Sequence, residues 1–231
     1  MEINAERVIE LVKSVRPLFM DHERASRITV KGAADFVTQV DFLVQERMRS
    51  GLFDMYPQVQ FMGEEKDNRD IDFSGAVWIL DPVDGTTNLI HDFRCSALSL
   101  ALCDRGQMEL GIIYQPYEDE LFLAQRGKGA FLNGNPIHVS SVKDLGQSLI
   151  SIGTSPYNHD LADRNFEDIK RVFLKCSDIR RTGSAAVDLA YVACGRLDAY
   201  FERCLNPWDF AAGMLLVREA GGSVLDYSGA Q

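Results

Sequence analysis

Carboxylate side chains recur in three separated segments that together could bind a divalent cation. The segments are residues 63–65 (Gly-Glu-Glu), 81–88 (Asp-Pro-Val-Asp-Gly-Thr-Thr-Asn) and 208–213 (Trp-Asp-Phe-Ala-Ala-Gly). Carboxylates gathered without histidine or paired cysteines suit hard cations, chiefly Mg²⁺. Several such ligands beside a glycine-threonine turn indicate phosphate chemistry.

The central segment carries the most specific pattern. Asp81 and Asp84 follow an apolar run at 76–80, and open sheets commonly place their sites where such a strand ends. Gly85 permits a tight bend, and its amide and that of Thr86 would meet an anion if a helix begins there. An isolated Asp-Gly pair is usually a helix-capping turn, but the full eight-residue string favours a metal site.

Each remaining acidic position has a structural alternative. Glu64 follows a predicted strand, although a Glu-Glu pair on a loop is usually solvated. Asp209 begins a predicted helix, where aspartate often caps backbone amides. Asp35, Thr38 and Asp41 are spaced by three, which predicts one helical face. One interpretation is that these residues form only an N-cap and a polar helical face. The other is that Asp41 pairs with a threonine hydroxyl elsewhere in the chain and that this pair orients a water.

Hydrophobic periodicity predicts the elements that position these segments. The predicted helices cover residues 6–22, 35–54, 161–174, 184–193 and 209–220. The predicted strands cover 59–62, 76–80, 96–103, 109–114, 120–124, 149–153, 198–201 and 223–227. Turn signals between the middle strands favour an antiparallel meander over a βαβ array, and residues 26–34 are a polar break. A boundary near residue 142 would separate residues 1–142, with the metal and phosphate site, from residues 143–231, which complete that site.

The composition excludes some classes of protein. The 231 residues are 46% hydrophobic and carry a formal net charge of −10 without a basic run, so we expect no general nucleic-acid binding. Five cysteines without a Cys-x-x-Cys spacing are typical of free thiols in a reducing compartment. No signal peptide and no membrane-spanning stretch are evident, so we expect a cytoplasmic protein without membrane contact. The chain ends soon after its last predicted strand, which suggests missing C-terminal residues.

The motifs and their order resemble those of the inositol monophosphatase family, especially its bacterial members. The matching strings lie at residues 63–65, 78–88, 181–186, 198–202 and 208–213. The resemblance implies an α/β (α+β) fold, a layered α/β/α/β/α sandwich, and usually a homodimer. It also implies two to three Mg²⁺ ions, with Li⁺ as an inhibitor.

The family pattern assigns metal ligands to this chain. Glu64, Asp81 and the carbonyl of Val83 would hold one Mg²⁺. Asp81, Asp84 and Asp209 would hold a second, and a weaker third ion would sit near Glu64. Family members usually run several tens of residues longer.

The resemblance also implies catalytic and substrate-binding residues. Thr86, paired with Asp41, would orient the attacking water, and Glu64 joins them as a catalytic residue through the metal. The implied substrate contacts are Asp84, Gly85, Thr86, Gly183, Ser184, Ala185 and Glu202. Lys31 lies in a short loop and could approach a phosphate, but ordinary exposure is the alternative, and no catalytic role is assigned to it.

The resemblance implies a magnesium-dependent phosphomonoesterase that hydrolyses myo-inositol monophosphate with a metal-activated water. No covalent residue is required, since phosphoryl transfer needs mainly positioning and charge neutralisation. Glu202 favours a polyol, because a carboxylate accepts hydroxyl hydrogen bonds and repels a second phosphate. The alternatives are another small ester (histidinol phosphate, fructose 1,6-bisphosphate or adenosine 3′,5′-bisphosphate), a protein-interaction role with incidental phosphatase activity, or a structural metal protein.

Overall fold

The computed structural model of the protein describes residues 3–32 and 35–230. The α-helices are α1 (Ala5–Lys13), α2 (Arg16–Phe19), α3 (His22–Ala25), α4 (Gln39–Met55), α5 (Thr86–Ile90), α6 (Ala162–Phe173), α7 (Ala185–Ala193) and α8 (Pro207–Glu219). The strands are β1 (Ile28–Gly32), β2 (Asp35–Thr38), β3 (Gln60–Gly63), β4 (Ala76–Asp84), β5 (Ala97–Asp104), β6 (Gln107–Gln115), β7 (Glu120–Gln125), β8 (Gly129–Leu132), β9 (Asn135–Ile137), β10 (Leu149–Ile152), β11 (Asp178–Arg180) and β12 (Ala199–Phe201). Two short 3₁₀ helices lie at Leu145–Gln147 and His159–Leu161.

A seven-stranded sheet forms the centre of the molecule. Its strands follow chain order from β3 to β9, with β3 parallel to β4 and every later pair antiparallel. The predicted meander is therefore confirmed. The predicted strands do not include β8 and β9, which form a hairpin whose turn residues Asn133 and Gly134 have φ values of 48° and 80°. Two left-handed residues in a row give the turn that matches strand twist, and Asn-Gly is its preferred pair.

Helices cover both faces of this sheet. Trp78 and Leu80 of β4 pack with Val44 and other apolar residues of α1–α4. The alternate residues Val77 and Ile79 point the other way, into a core shared with α7 and α8. This alternation follows from the two-residue period of a strand. Each face is buried, which explains why β4 reads as a continuous apolar run.

A second, parallel sheet with strand order β11-β10-β12 lies beyond α7 and α8. On its outer face, Ile150 and Ile152 pack with Ile169 of α6. From its inner face, the Ser151 hydroxyl donates to Asp188 of α7. The succession of layers is α/β/α/β/α, so the predicted sandwich is confirmed.

The N-terminal segment differs from the prediction. The predicted helix 6–22 is three short helices, since α1 ends at Lys13 and Pro17, which lacks an amide hydrogen, lies in the first turn of α2. The polar break and the start of the next predicted helix instead form the β1–β2 hairpin. Helix α4 begins only after its N-cap Thr38. The prediction that Asp35, Thr38 and Asp41 share one helical face is therefore wrong; Ala33 and Ala34 of this region lie outside the described residues.

The C-terminal segment also differs. Residues 223–227 form no strand. Asp226 instead accepts hydrogen bonds from the amides of Ser228 and Ala230 in a local turn. No helix in the described part of the chain is long and apolar enough to cross a membrane. The division near residue 142 stays a prediction.

Candidate metal and phosphate site

Three carboxylates from two distant segments meet at one edge of the central sheet. The side-chain oxygens of Asp81, Asp84 and Asp209 lie within 4.8 Å of one another. Asp81 and Asp84 belong to the end of β4, which runs through Asp84 with an irregular register against β5 instead of ending before Asp81 as predicted. Asp209 lies in the first turn of α8, and its carboxylate also accepts from the Asn206 amide at 2.6 Å.

Burial and mutual repulsion raise the pKa values of this cluster. For Asp81, burial is the main cause, followed by the charges of Glu64, Asp84 and Asp209. Burial and the charge of Asp84 raise the pKa of Asp209 to about 8. Burial raises the pKa of Asp84 to about 6, although the Ser184 hydroxyl and the Ala186 amide donate to it. Three largely buried oxygen donors that repel one another fit a hard divalent cation, which would neutralise them.

Glu64 lies beside this cluster but is also engaged elsewhere. It follows β3, and its amide donates to Leu80 of β4 at 3.2 Å. Lys31 Nζ lies 3.4 Å from Glu64 Oε1 and 2.5 Å from Glu65 Oε1. Burial is the main cause that raises the pKa of Glu64 to about 7. Lys31, predicted in a loop that either approaches a phosphate or is simply exposed, lies on the exposed strand β1 and lines the cavity.

The predicted pair of Asp41 and Thr86 is present in the structure. Thr86 Oγ1 lies 3.1 Å from Asp41 Oδ1 and 3.0 Å from the Val83 carbonyl. Asp41 Oδ2 accepts from both the amide and the hydroxyl of Thr38, which caps α4. Asp41 is fully buried, and this burial raises its pKa to about 6.

Gly85 connects the end of β4 to the short helix α5. Its φ of 88° is a left-handed conformation that L side chains rarely adopt. A Cβ there would lie 3.1 Å from the Cys95 carbonyl oxygen and 3.2 Å from that of Gly183. Glycine therefore lets the 81–88 and 183–186 segments approach, and α5 begins at Thr86 as the predicted anion-binding turn requires.

A cavity of about 370 Å³ joins these groups. Every predicted metal and substrate residue lines it, whereas Asp41 lies behind Thr86 and is absent from the lining. The residues concerned are Glu64, Asp81, Val83, Asp84, Gly85, Thr86, Gly183, Ser184, Ala185, Glu202 and Asp209. The Ser184 hydroxyl donates to Asp84 Oδ2 at 2.5 Å, a contact that the sequence reading did not predict.

Some lining residues lie outside the predicted site, among them Asp188, Tyr157 and Arg181. Asp188 is buried and accepts from the Ser151 hydroxyl at 2.6 Å. Tyr157 is 66% exposed at the rim, and Arg181 Nε donates to the Thr154 hydroxyl at 3.2 Å. No local motif marks Asp188 or Tyr157, because only the packing of β10 against α7 brings their segments to the cavity.

The fold and the cavity define a class: layered α/β/α/β/α proteins with a carboxylate cluster at a sheet edge that could hold a metal ion. The model of the inositol monophosphatase family matches residues 1–231. The chain belongs to this family, which supports a phosphatase that acts on small phosphate esters with magnesium.

Relatives with different names are similar to most of this chain. Nus factor SuhB of Escherichia coli K12 is 43% identical over 199 residues, covering 86% of this chain and 74% of that protein. Inositol monophosphatase of Dictyostelium discoideum is 38% identical over 235 residues, covering 97% and 85%. The crystal structure of extragenic suppressor protein suhB from Bartonella henselae superposes with a TM-score of 0.91 at 36% identity, covering 98% of this chain and 88% of that one.

Proposed function

We propose that this protein hydrolyses myo-inositol monophosphate to inositol and phosphate in a magnesium-dependent reaction. The observation that carries the proposal is the cluster of Asp81, Asp84 and Asp209, whose oxygens lie within 4.8 Å of one another in the cavity that also holds Thr86 and Glu202. The proposal includes the homodimer and the lithium inhibition that the family resemblance implies, together with the cytoplasmic location expected from the sequence.

The acidic residues divide into two ligand sets. Asp81, Asp84 and Asp209 would hold one Mg²⁺; Glu64, Asp81 and the Val83 carbonyl would hold another, with a weaker third ion near Glu64. Bound magnesium lowers the pKa of water and neutralises charge on the phosphate and on the leaving oxygen.

The chain's own residues position the reactants. The Thr86 hydroxyl, fixed between Asp41 and the Val83 carbonyl, would orient the attacking water. Asp41 is the buried acceptor that keeps this hydroxyl in place. The amides of Gly85 and Thr86 would bind the phosphate, because free backbone amides at the start of a helix favour an anion. Positioning of this kind supplies most of the catalysis that phosphoryl transfer needs.

Glu202, which also lines the cavity, would accept a hydrogen bond from a hydroxyl of the leaving group. A carboxylate here favours a neutral polyol and repels a second phosphate. This preference distinguishes inositol monophosphate from fructose 1,6-bisphosphate and adenosine 3′,5′-bisphosphate. The Glu202 carboxylate distinguishes inositol monophosphate less clearly from histidinol phosphate. Hydrolysis of another small phosphate ester by the same chemistry therefore remains the alternative.

Phosphate release from these four esters, with and without magnesium, tests the proposal. We expect magnesium-dependent turnover that is fastest with inositol 1-phosphate and that Asp84→Asn abolishes. Faster turnover of another ester would retain the chemistry and refute the substrate. An Asp84→Asn variant with wild-type kcat would refute the metal assignment.

A second candidate is an interaction role with incidental phosphatase activity. The observation that favours it is the name Nus factor, which the 43% identical relatives carry. Binding to a macromolecular partner that persists in Asp84→Asn, in a protein with negligible turnover of all four esters, would support this role over the first.

A further inference from the structure

The carboxylate of Glu202 lies where two parallel strands end side by side. Strands β10 and β12 pair in parallel with Ile152 opposite Phe201. The next residues, Gly153 and Glu202, therefore leave the sheet together, and the Gly153 amide donates to the Phe201 carbonyl at 3.0 Å. Sites commonly form at such carboxyl ends of parallel strands.

Two donors hold the carboxylate, one on each oxygen. The Ser155 amide donates to Glu202 Oε1 at 2.8 Å, and the Tyr200 hydroxyl donates to Oε2 at 2.5 Å. Ser155 has a φ of 47°, and its own hydroxyl donates to the Arg203 carbonyl at 2.6 Å. Because each carboxylate oxygen can accept about two hydrogen bonds, capacity remains on both oxygens for a ligand.

Gly153 provides the space in which this carboxylate lies. A Cβ at position 153 would fall 1.9 Å from both the carboxyl carbon and Oε2 of Glu202. No side chain fits beside Glu202 in its present orientation. The absence of a Cβ at Gly153 and the two donors therefore specify the same carboxylate position.

Tyr200 contacts Glu202 but does not itself line the cavity. Glu202 lines the cavity that contains Asp81, Asp84 and Asp209. Tyr200 does not line this cavity and instead lines two other clefts, one of which it shares with Glu202. Burial, then the charge of Glu202, raises the pKa of Tyr200, so its hydroxyl remains protonated and can only donate to the carboxylate. No function assigned above uses this hydroxyl.

We propose that Tyr200 is a positioning residue that, with Gly153 and Ser155, presents Glu202 to a hydroxyl of the leaving group and thereby sets the preference for polyol phosphates. The inference rests on the proposed function, since it assumes that Glu202 receives a substrate hydroxyl. A carboxylate already held in its binding orientation loses less freedom when the substrate binds.

The test compares inositol 1-phosphate with 4-nitrophenyl phosphate, a monoester whose leaving group has no further hydroxyl. We expect Tyr200→Phe to lower the ratio of kcat/KM for the two substrates by about tenfold, as expected for one lost hydrogen bond to a charged group. The loss should appear as a higher KM for inositol 1-phosphate with turnover of 4-nitrophenyl phosphate unchanged. Gly153→Ala, which displaces the same carboxylate, should lower the ratio as well.

Tyr114→Phe is the matched control. It removes a tyrosine hydroxyl that also donates to a carboxylate, that of Asp119 at 2.7 Å, but outside the cavity. This variant should keep the wild-type ratio. In a Glu202→Ala background, Tyr200→Phe should have no further effect on the ratio, because its action passes through Glu202.

The outcomes separate the two proposals. A wild-type protein without preference for inositol 1-phosphate refutes the proposed substrate and this role together. A wild-type protein with that preference, and a Tyr200→Phe variant that keeps it or slows both substrates equally, refutes only the role of Tyr200. An equal fall of the ratio in the Glu202→Ala background also refutes it.

Discussion

Thr86 Oγ1 lies 3.1 Å from Asp41 Oδ1, although 45 positions separate the two residues. The other oxygen of Asp41 is occupied by the amide and hydroxyl of Thr38 at 2.8 and 2.6 Å. Oδ1 is therefore the oxygen of Asp41 that accepts from Thr86, while Oδ2 accepts from Thr38. The start of α4 and the end of β4 together set the position of a single hydroxyl group in the cavity that contains Asp81, Asp84 and Asp209.

Thr86→Val should reduce kcat by about a hundredfold or more, the usual contribution of a positioned proton-handling group. Valine keeps the shape of threonine and removes only the hydroxyl between Asp41 and Val83. Thr86→Ser should retain most of the activity. Steady-state phosphate release measures both effects.

The neighbouring Thr87 gives the control for this change. Thr87 lies exposed in the same helix. Thr87→Val should keep wild-type kcat. An equal loss of activity in Thr86→Val and Thr87→Val would contradict a specific role for the Thr86 hydroxyl.

Asp209→Asn should stabilise the metal-free protein and remove most of its response to magnesium. Burial and the charge of Asp84 raise the pKa of Asp209 to about 8, so the metal-free protein loses stability as pH rises from about 4 to about 8, and an amide that does not ionise avoids this loss. Wild-type protein should gain about 2.7 kcal/mol when magnesium exceeds its Kd by about 100-fold. Thermal unfolding with and without magnesium measures the two melting temperatures.

Asp70→Asn, at an exposed position, is the control for the charge change itself. It should behave like wild type in both conditions. Two results would contradict the role of Asp209 as a magnesium ligand. One is a metal-free Asp209→Asn protein with a lower melting temperature than metal-free wild type. The other is an increase in melting temperature with magnesium as large as that of wild type.

Local motifs explain how much of the site the sequence predicts. Asp81, Asp84 and Gly85 occur in one string whose turn geometry is fixed by neighbouring residues, so their grouping follows from the sequence itself. Asp188 lies in the otherwise apolar helix α7, and its burial depends on Ser151, 37 residues earlier. Such contacts depend on packing between layers, which periodicity does not specify.

The β1–β2 hairpin shows the same limit in the fold. Residues 35–38 fit the helical spacing of the residues that follow, yet they pair with residues 28–32 instead. Lys31 of this hairpin meets Glu65, which lies 34 positions away. Tertiary pairing overrides local propensity here, whereas the long apolar runs of β4 and β5 were identified from the sequence.

Gly85→Ala should destabilise the protein by about 1–3 kcal/mol, the range for a non-glycine residue held in an unfavourable conformation with close contacts. Its Cβ would approach the carbonyl oxygens of Cys95 and Gly183 at 3.1 and 3.2 Å. Activity should fall as well, because these contacts hold the segment that contains Asp84. Urea unfolding and phosphate release measure the two effects.

Gly106→Ala separates the two causes. Gly106 has a similar φ of 74°, but a Cβ there meets nothing within 4 Å. This control should show the conformational penalty alone and keep wild-type kcat. Equal effects of the two substitutions on stability and activity would show that the packing around Gly85 is unimportant.

Asp188→Asn should change how stability depends on pH. Burial raises the pKa of Asp188 to about 7, although the Ser151 hydroxyl acts in the opposite direction. The unfolded chain should titrate near about 4. The stability that the protonated acid contributes is therefore complete below pH of about 4 and is lost as pH rises to about 7, a total on the order of a few kcal/mol.

An asparagine at position 188 does not titrate, and its side-chain oxygen can still accept from Ser151. The free energy of unfolding of Asp188→Asn relative to wild type should thus rise between pH of about 4 and 7 and then level off. Urea unfolding across this range measures the difference, with Asp163→Asn, at an exposed position, as a control for the removal of a surface charge. A difference for Asp188→Asn that is also flat, or that falls as pH rises, would mean that Asp188 is ionised in the folded protein across this range.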